Sequence, residues 1–219
     1  MTREELLISL AAQVLVLHND RARVVAIDGM SCVGKSTLAA ELIAVVEGAG
    51  RPVLHVSADN FHHPRAVRHR RHRMSAEGYL DDSYDLESLQ ELVLEPVAEG
   101  KGEIRTASFD LAADEPVEVD PVQVQPDAVV VVEGEFLLSP RLTESWDLAV
   151  LLVAEPSAVL ERALVRDADL GTPEQVREVY LRRYLAAWSL HEERHDPWSR
   201  ADVVVDLTDP MEPRLLSGS

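Results

Sequence analysis

One short run constrains this chain more than any other: Gly29-Met30-Ser31-Cys32-Val33-Gly34-Lys35-Ser36. Ahead of it, Arg23-Val24-Val25-Ala26-Ile27-Asp28 is continuously apolar at its centre and too short for a helix, as a strand buried on both faces would be. Behind it, Lys35 to Glu47 reads as a helix that Gly48 and Gly50 end. A G-x-x-x-x-G-K-S run between a buried strand and a helix is a phosphate cradle. Glycines let main-chain N–H groups turn inward, and the helix N-terminus adds partial positive charge. The lysine reaches terminal phosphates, and the next hydroxyl can ligate Mg²⁺. Gly29, Ser31, Cys32, Val33, Gly34, Lys35, Ser36 and Thr37 are therefore the expected nucleotide-holding residues, with ATP and Mg²⁺ as cofactors. Cys32, the chain's single cysteine, is read as a spacer in that loop.

The rest of the chain repeats the alternation of strand and helix. Pro52–Ser57, Val129–Gly134, Leu148–Val153 and Asp202–Asp206 read as further strands. Helices are expected over residues 4–17, where Thr2 and Glu5 form a capping box, and over 85–97, 157–166 and 173–190. Residues 59–78 are polar, without an apolar period, and are expected to be a loop or lid with at most one helical turn. Residues 103–124, punctuated by Pro116 and Pro121, read as short edge strands or an irregular excursion. Such alternation predicts an α/β protein, a three-layer α/β/α sandwich on a five-stranded parallel sheet. The expected domains are an N-terminal helical unit (1–21) on the core, a main domain (22–210) with insertions near 59–80 and 103–126, and a tail (211–219).

Charge and composition narrow the function classes. With 21 Lys+Arg against 39 Asp+Glu, the net charge of −18 repels a nucleic-acid backbone, so no nucleic-acid partner is expected. No apolar run approaches the roughly 20 residues that cross a bilayer, and no signal-peptide layout opens the chain. One cysteine forms no intrachain disulfide, and the expected compartment is the cytoplasm. A homo-oligomer is compatible with all of this.

Two acids stand where chemistry would need them. Glu133 ends an apolar strand directly after four valines, where it either completes a Mg²⁺ shell or reaches solvent. Asp59 holds the matching place after the second strand, either as the base for an attacking hydroxyl or as a turn-forming aspartate. Asp59 is also counted among the metal-facing and acceptor-facing residues.

In order along the chain, Asp28-Gly29 through Thr37, Ser57-Ala58-Asp59-Asn60-Phe61-His62, Asp82-Ser83-Tyr84-Asp85, Phe109-Asp110, Val132-Glu133-Gly134, Arg162 to Asp167 and Ala201 to Val205 resemble the uridine kinase and phosphoribulokinase family. The resemblance implies a strand order of 2-3-1-4-5 and transfer of the ATP γ-phosphoryl to a primary hydroxyl. It implies that Asp59 is the base, that Asp82 holds ribose hydroxyls, that Glu133 helps hold Mg²⁺, and that Arg162 and Arg166 belong to a closing lid. Phe61, His62, Tyr84 and Phe109 join Asp59, Asp82 and Glu133 as expected substrate-binding residues. The expected acceptor is a nucleoside such as uridine or cytidine. A sugar phosphate or a pantothenate-like acid is an alternative, as is a nucleotide-binding regulator that is not a kinase. Three departures stand out: Asp114 stands near the place of a base-reading histidine, the lid's usual run of adjacent arginines is thinned to Arg162 and Arg166, and His62 replaces a tyrosine.

Residues 62–73 hold five arginines and four histidines. They form either an anion-recognition loop or a solvated lid paired with the protein's own carboxylates. His191 and His195, four apart on a helix, lack the acid order of a hydrolytic zinc motif and are read as structural.

Overall fold

Short, predominantly apolar segments become the interior strands. A computed structural model describes residues 1–18 and 20–218; Asn19, in the expected N-terminal unit, and Ser219, the last residue of the expected tail, lie outside them. In chain order the main strands are β1 (Arg23–Gly29), β2 (Val53–Ser57), β3 (Val129–Gly134), β4 (Leu148–Val153), β5 (Val203–Asp206) and β6 (Arg214–Gly218). Every residue of β3 and β4 is buried.

The sheet order is β6-β5-β4-β1-β3-β2. Its first five strands in sequence are mutually parallel and follow the 2-3-1-4-5 order. The sheet has six strands, however, not five. Residues expected to be a tail return antiparallel to β5, with Arg214 opposite Asp206 and Leu215 opposite Val205. An antiparallel neighbour needs only a short connection and no crossover helix. Its sequence, Arg-Leu-Leu-Ser-Gly, has no β-branched residue to announce it.

Helix α1 (Arg3–Val16) starts at the expected reciprocal cap, with the Thr2 hydroxyl accepting from the Glu5 amide and the Glu5 carboxylate accepting from the Thr2 amide. It buries Leu6, Leu10 and Val14 and packs on α2 (Lys35–Gly48), which lies over β1, β2 and β3. Arg51 secures the far end of α1 by donating to the carbonyls of Val14 and Leu17 at 2.8 and 3.1 Å. The segment 59–78 holds more helix than expected: a turn at Ala58–Asn60, another at Arg65–Arg68, and the start of α3 (Ala76–Asp82), capped by Ser75. Single turns carry no apolar period, so the sequence pattern does not reveal them.

Helix α4 (Pro156–Arg166) follows β4. The next helical stretch begins at Pro173–Val179, passes through a π-turn at Tyr180–Tyr184 and continues as α5 (Leu185–His195), five residues beyond the expected end at Leu190. It stops where Asp196 takes a left-handed φ of 43°. Between residues 103 and 123 only two-residue pairings form, Glu103–Ile104 with Val122–Gln123 and Phe109–Asp110 with Glu115–Pro116.

Register places the working end of the sheet. Glu133 lies beside Ile27 of β1 on one side and beside Ser57 of β2 on the other. The C-terminal ends of these three strands are therefore level, and the loop after β1, the turn after β2 and the end of β3 share one edge. The chain leaves β1 toward β2 and later returns on the other side as β4, and a ligand crevice opens at such a reversal.

Candidate active site

The loop after β1 is shaped to accept an anion. A Cβ on Gly29 would stand 2.5 Å from the Leu152 carbonyl oxygen, so only glycine lets β1 turn so close to β4. Gly34 and Cys32 adopt φ of 112° and 59°, which curls the main chain inward. Among the described residues, the N–H groups of Ser31, Cys32 and Gly34 find no acceptor. Unsatisfied amides at a helix N-terminus fit a phosphate chain. Lys35 Nζ donates back to the carbonyls of Gly29 and Met30 at 2.8 and 3.0 Å. Thr37 stands on the exposed first turn of α2.

Ser36 and Glu133 meet across the crevice. The Ser36 hydroxyl donates to Glu133 Oε2 at 3.1 Å, and the carboxylate is almost fully buried with His55 Nε2 3.9 Å away. A buried carboxylate and a hydroxyl beside a phosphate cradle are the hard oxygen donors that Mg²⁺ takes, so these residues fit that ion.

Asp59 projects from the turn after β2, its side chain 66% exposed toward the crevice. It accepts from the Tyr84 hydroxyl at 3.1 Å, and His62 Nε2 lies 3.7 Å away. The other His62 nitrogen is 2.7 Å from the Ser83 carbonyl, which fixes the ring. Partial desolvation in the crevice pushes the Asp59 carboxyl up, but His62, Lys35 and Tyr84 together outweigh it and hold the group below its usual value. It is therefore ionised at neutral pH.

A cavity of about 330 Å³ joins these groups. Ser31, Lys35, Ser36, Asp59, His62, Tyr84, Glu133 and Arg166 from the expected set line it. Arg166 donates to the Ser31 hydroxyl at 3.1 Å and the Tyr180 hydroxyl at 2.9 Å, and is held by Asp167 at 2.7 Å. Cys32 has its sulfur 3.2 Å from the Tyr180 hydroxyl, and burial pushes its thiol up, which suits a spacer and not a nucleophile.

Four expected residues stand elsewhere. Phe61 is fully buried in the hydrophobic core. Phe109 is buried opposite Pro116 in its short pairing. Asp82 is buried and held by Arg70 and Arg71. Arg162 donates to the carbonyls of Cys32, Val33, Leu207 and Thr208, tying the loop after β1 to the end of β5. Each aromatic or charged side chain is spent on local packing that a linear motif does not show.

Sequence reasoning missed Tyr79, Glu135, Arg183 and Tyr184, which also line the cavity. Glu135 follows Glu133 by two residues, is buried, accepts from the Tyr79 hydroxyl at 3.2 Å and lies 4.0 Å from Lys35 Nζ. A second acid just beyond a buried strand end was the available signal. Arg183 gave none, since an arginine pair on a helix reads as surface. The two helix histidines support the scaffold: His191 and His195 approach through their Nδ1 atoms at 3.0 Å, and His191 lies 3.7 Å from Asp28, which accepts from the amides of Gly29 and Leu138.

Comparison with known proteins agrees with this geometry. No curated protein sequence matches the chain. Among solved structures, a possible uridine kinase from Bacillus stearothermophilus is 22% identical, with a TM-score of 0.73 over 92% of this chain and 97% of that one. D-glycerate 3-kinase from Cryptococcus neoformans var. grubii is 15% identical, with a TM-score of 0.65 over 96% and 99%. Phosphoribulokinase from Rhodobacter spheroides is 16% identical, with a TM-score of 0.59 over 86% and 71%. These likenesses establish the three-layer P-loop kinase fold. The profile of one family spans residues 24–193, and on that match the chain belongs to the phosphoribulokinase / uridine kinase family.

Proposed function

We propose that this kinase transfers the γ-phosphoryl group of ATP to a hydroxyl of a small molecule, with Asp59 as the base. The observation that carries the reading is the shared edge: the loop amides and Lys35, the Ser36–Glu133 pair and the ionised Asp59 all face one cavity. Bound there, MgATP supplies the electrophilic phosphorus and a leaving group whose charge the metal spreads. The loop amides and Lys35 hold the phosphates, and Ser36 and Glu133 hold the ion. Tyr84 and His62 orient Asp59 toward the incoming hydroxyl. In the reaction the acceptor oxygen bonds to the γ-phosphorus, the bond from that phosphorus to the β,γ-bridging oxygen breaks, and the hydroxyl proton passes to Asp59. Arg166 faces the loop from the lid side and neutralises developing charge.

The sequence reading favours a nucleoside acceptor. A specific observation favours the alternative, a charged alcohol. Asp82, expected to hold ribose hydroxyls, is engaged by Arg70 and Arg71, and Asp114 is bonded to Arg68 at 2.7 Å. Neither lines the cavity in which a nucleoside would lie beside Asp59.

Asp59→Asn tests the base. Turnover should fall by about 10²–10⁴, the usual contribution of general base catalysis, while ATP affinity stays within about threefold. Equal loss in turnover and ATP affinity would refute the role.

A further inference from the structure

We infer that the acceptor carries an anionic group, a carboxylate or a phosphate monoester, and that Arg183 binds it. The inference rests on the kinase reading above and adds the acceptor's chemical class.

Arg183 is an anomaly by burial. Its residue is only 8% exposed, yet among the described residues its guanidinium makes no hydrogen bond and no ion pair, and its Nε is fully buried without an acceptor. An arginine cannot shed its charge, and a buried unpaired cation is costly. Its contacts are two aromatic faces, Tyr79 at 4.9 Å and Tyr184 at 5.4 Å, which hold the fork in place without satisfying its donors. The side chain lines the same cavity as Asp59 and Lys35.

Position along the cavity assigns Arg183 to the acceptor. Its platform, Tyr79, meets Tyr84 edge-on at 6.3 Å between centroids, and Tyr84 donates to Asp59. Arg166, by contrast, reaches the phosphate loop through Ser31. Arg166 thus contacts the phosphate loop, whereas Arg183 is joined through Tyr79 and Tyr84 to the base. The π-turn at Tyr180–Tyr184 contains both Arg183 and Tyr184, and a π-turn inside an α-helix changes which side chains face a site. One set of free bidentate donors in the cavity wall suits an anionic oxygen pair.

The test uses the full-length protein with MgATP and four acceptors: D-glycerate and ribulose 5-phosphate as the carboxylate and phosphate probes, glycerol and uridine as uncharged ones. ADP release gives kcat/KM, and calorimetry with a non-hydrolysable ATP analogue present gives acceptor binding. At least one anionic probe should bind and exceed both uncharged acceptors by tenfold or more, and whichever one does identifies the anion. Arg183→Gln should cut that charged-to-uncharged ratio at least tenfold, mainly through KM, and Arg183→Lys should restore part of it. Thermal melting shows whether each variant is folded; where Arg183→Gln is not, the Lys variant and competition by inorganic phosphate against the anionic acceptor decide. Binding of the ATP analogue without either anionic probe, uncharged acceptors equal to the charged ones, or a variant that loses both classes equally would overturn the inference while leaving the kinase reading intact. Failure to bind the ATP analogue at all would overturn both.

Discussion

Gly134→Ala offers a stringent test of how the base is placed. A Cβ added at Gly134 would stand 2.3 Å from the Ala58 Cβ, whereas carbons in contact keep about 3.5–4.0 Å. The two segments must part by about 1.5 Å to reach that separation. No flexible side chain can swing aside, because the obstructing atom is the Cβ of a fully buried alanine. The strain falls on the short turn Ala58–Asn60, and Asp59 rides on it. Overpacking of this kind costs about 1–3 kcal/mol, which a folded kinase domain can survive. A displacement near 1 Å in a reacting group can cost about 10²-fold in rate, so kcat should fall by roughly that factor. Steady-state ADP formation at saturating ATP and acceptor measures the loss, and thermal melting establishes that the variant is folded. Gly48→Ala is the control, since nothing lies within 4 Å of its added Cβ. A folded Gly134→Ala protein with kcat within threefold of wild type would show that Asp59 is not the precisely held base described above.

Two further predictions concern side chains whose surroundings only the folded chain reveals. Arg162→Ala should lower stability by about 1–3 kcal/mol in urea unfolding and weaken binding of an ATP analogue, because the loop carbonyls lose their donors. A fall in kcat with melting temperature and ATP affinity unchanged would instead return Arg162 to the lid. For Glu135, burial raises the carboxyl pKa, Lys35 opposes that and Asp59 adds to it, with the folded value remaining above the unfolded one. In the window between the two values the folded state holds the extra proton, so stability falls as pH rises from about 4.3 through the folded value. Glu135→Gln should remove that slope, and the urea midpoint of the variant should gain on wild type as pH rises toward neutrality; a constant difference from pH 4 to 8 would contradict the assignment.

The legible parts of this protein are those in which neighbours in sequence suffice. The valines of β3, the apolar run of β1 and the glycine-lysine loop each declare themselves within ten residues, and the acids at strand ends follow from where those strands stop. Residues matched by type to a motif fare less well when their surroundings are tertiary. Phe61 faces the core and Asp82 faces two arginines because of how α3 and the preceding turns fold back, and nothing within the motif records that. The sixth strand escaped for a different reason, since pairing at an edge requires only main-chain groups from a segment with no strand-like composition.

Charge illustrates the same limit from the other side. The dense basic run of residues 62–73 invites an anion-binding reading, yet Arg71 meets Asp81 at 2.6 Å, Arg68 meets Asp114 at 2.7 Å, and Arg70 is paired with Asp82. Most of that cluster is spent on the protein's own surplus carboxylates, which is what a chain of net charge −18 makes available. Linear density measures how much charge a segment carries, whereas binding depends on how much is left unpaired in a place that water cannot fully solvate. By that criterion the significant cation is Arg183, one arginine in a helix over 100 residues away, held by tyrosine faces and without a carboxylate partner among the described residues. The recognition element for the acceptor is therefore created by packing α3 against the π-turn, and it follows from the tertiary structure and not from any motif.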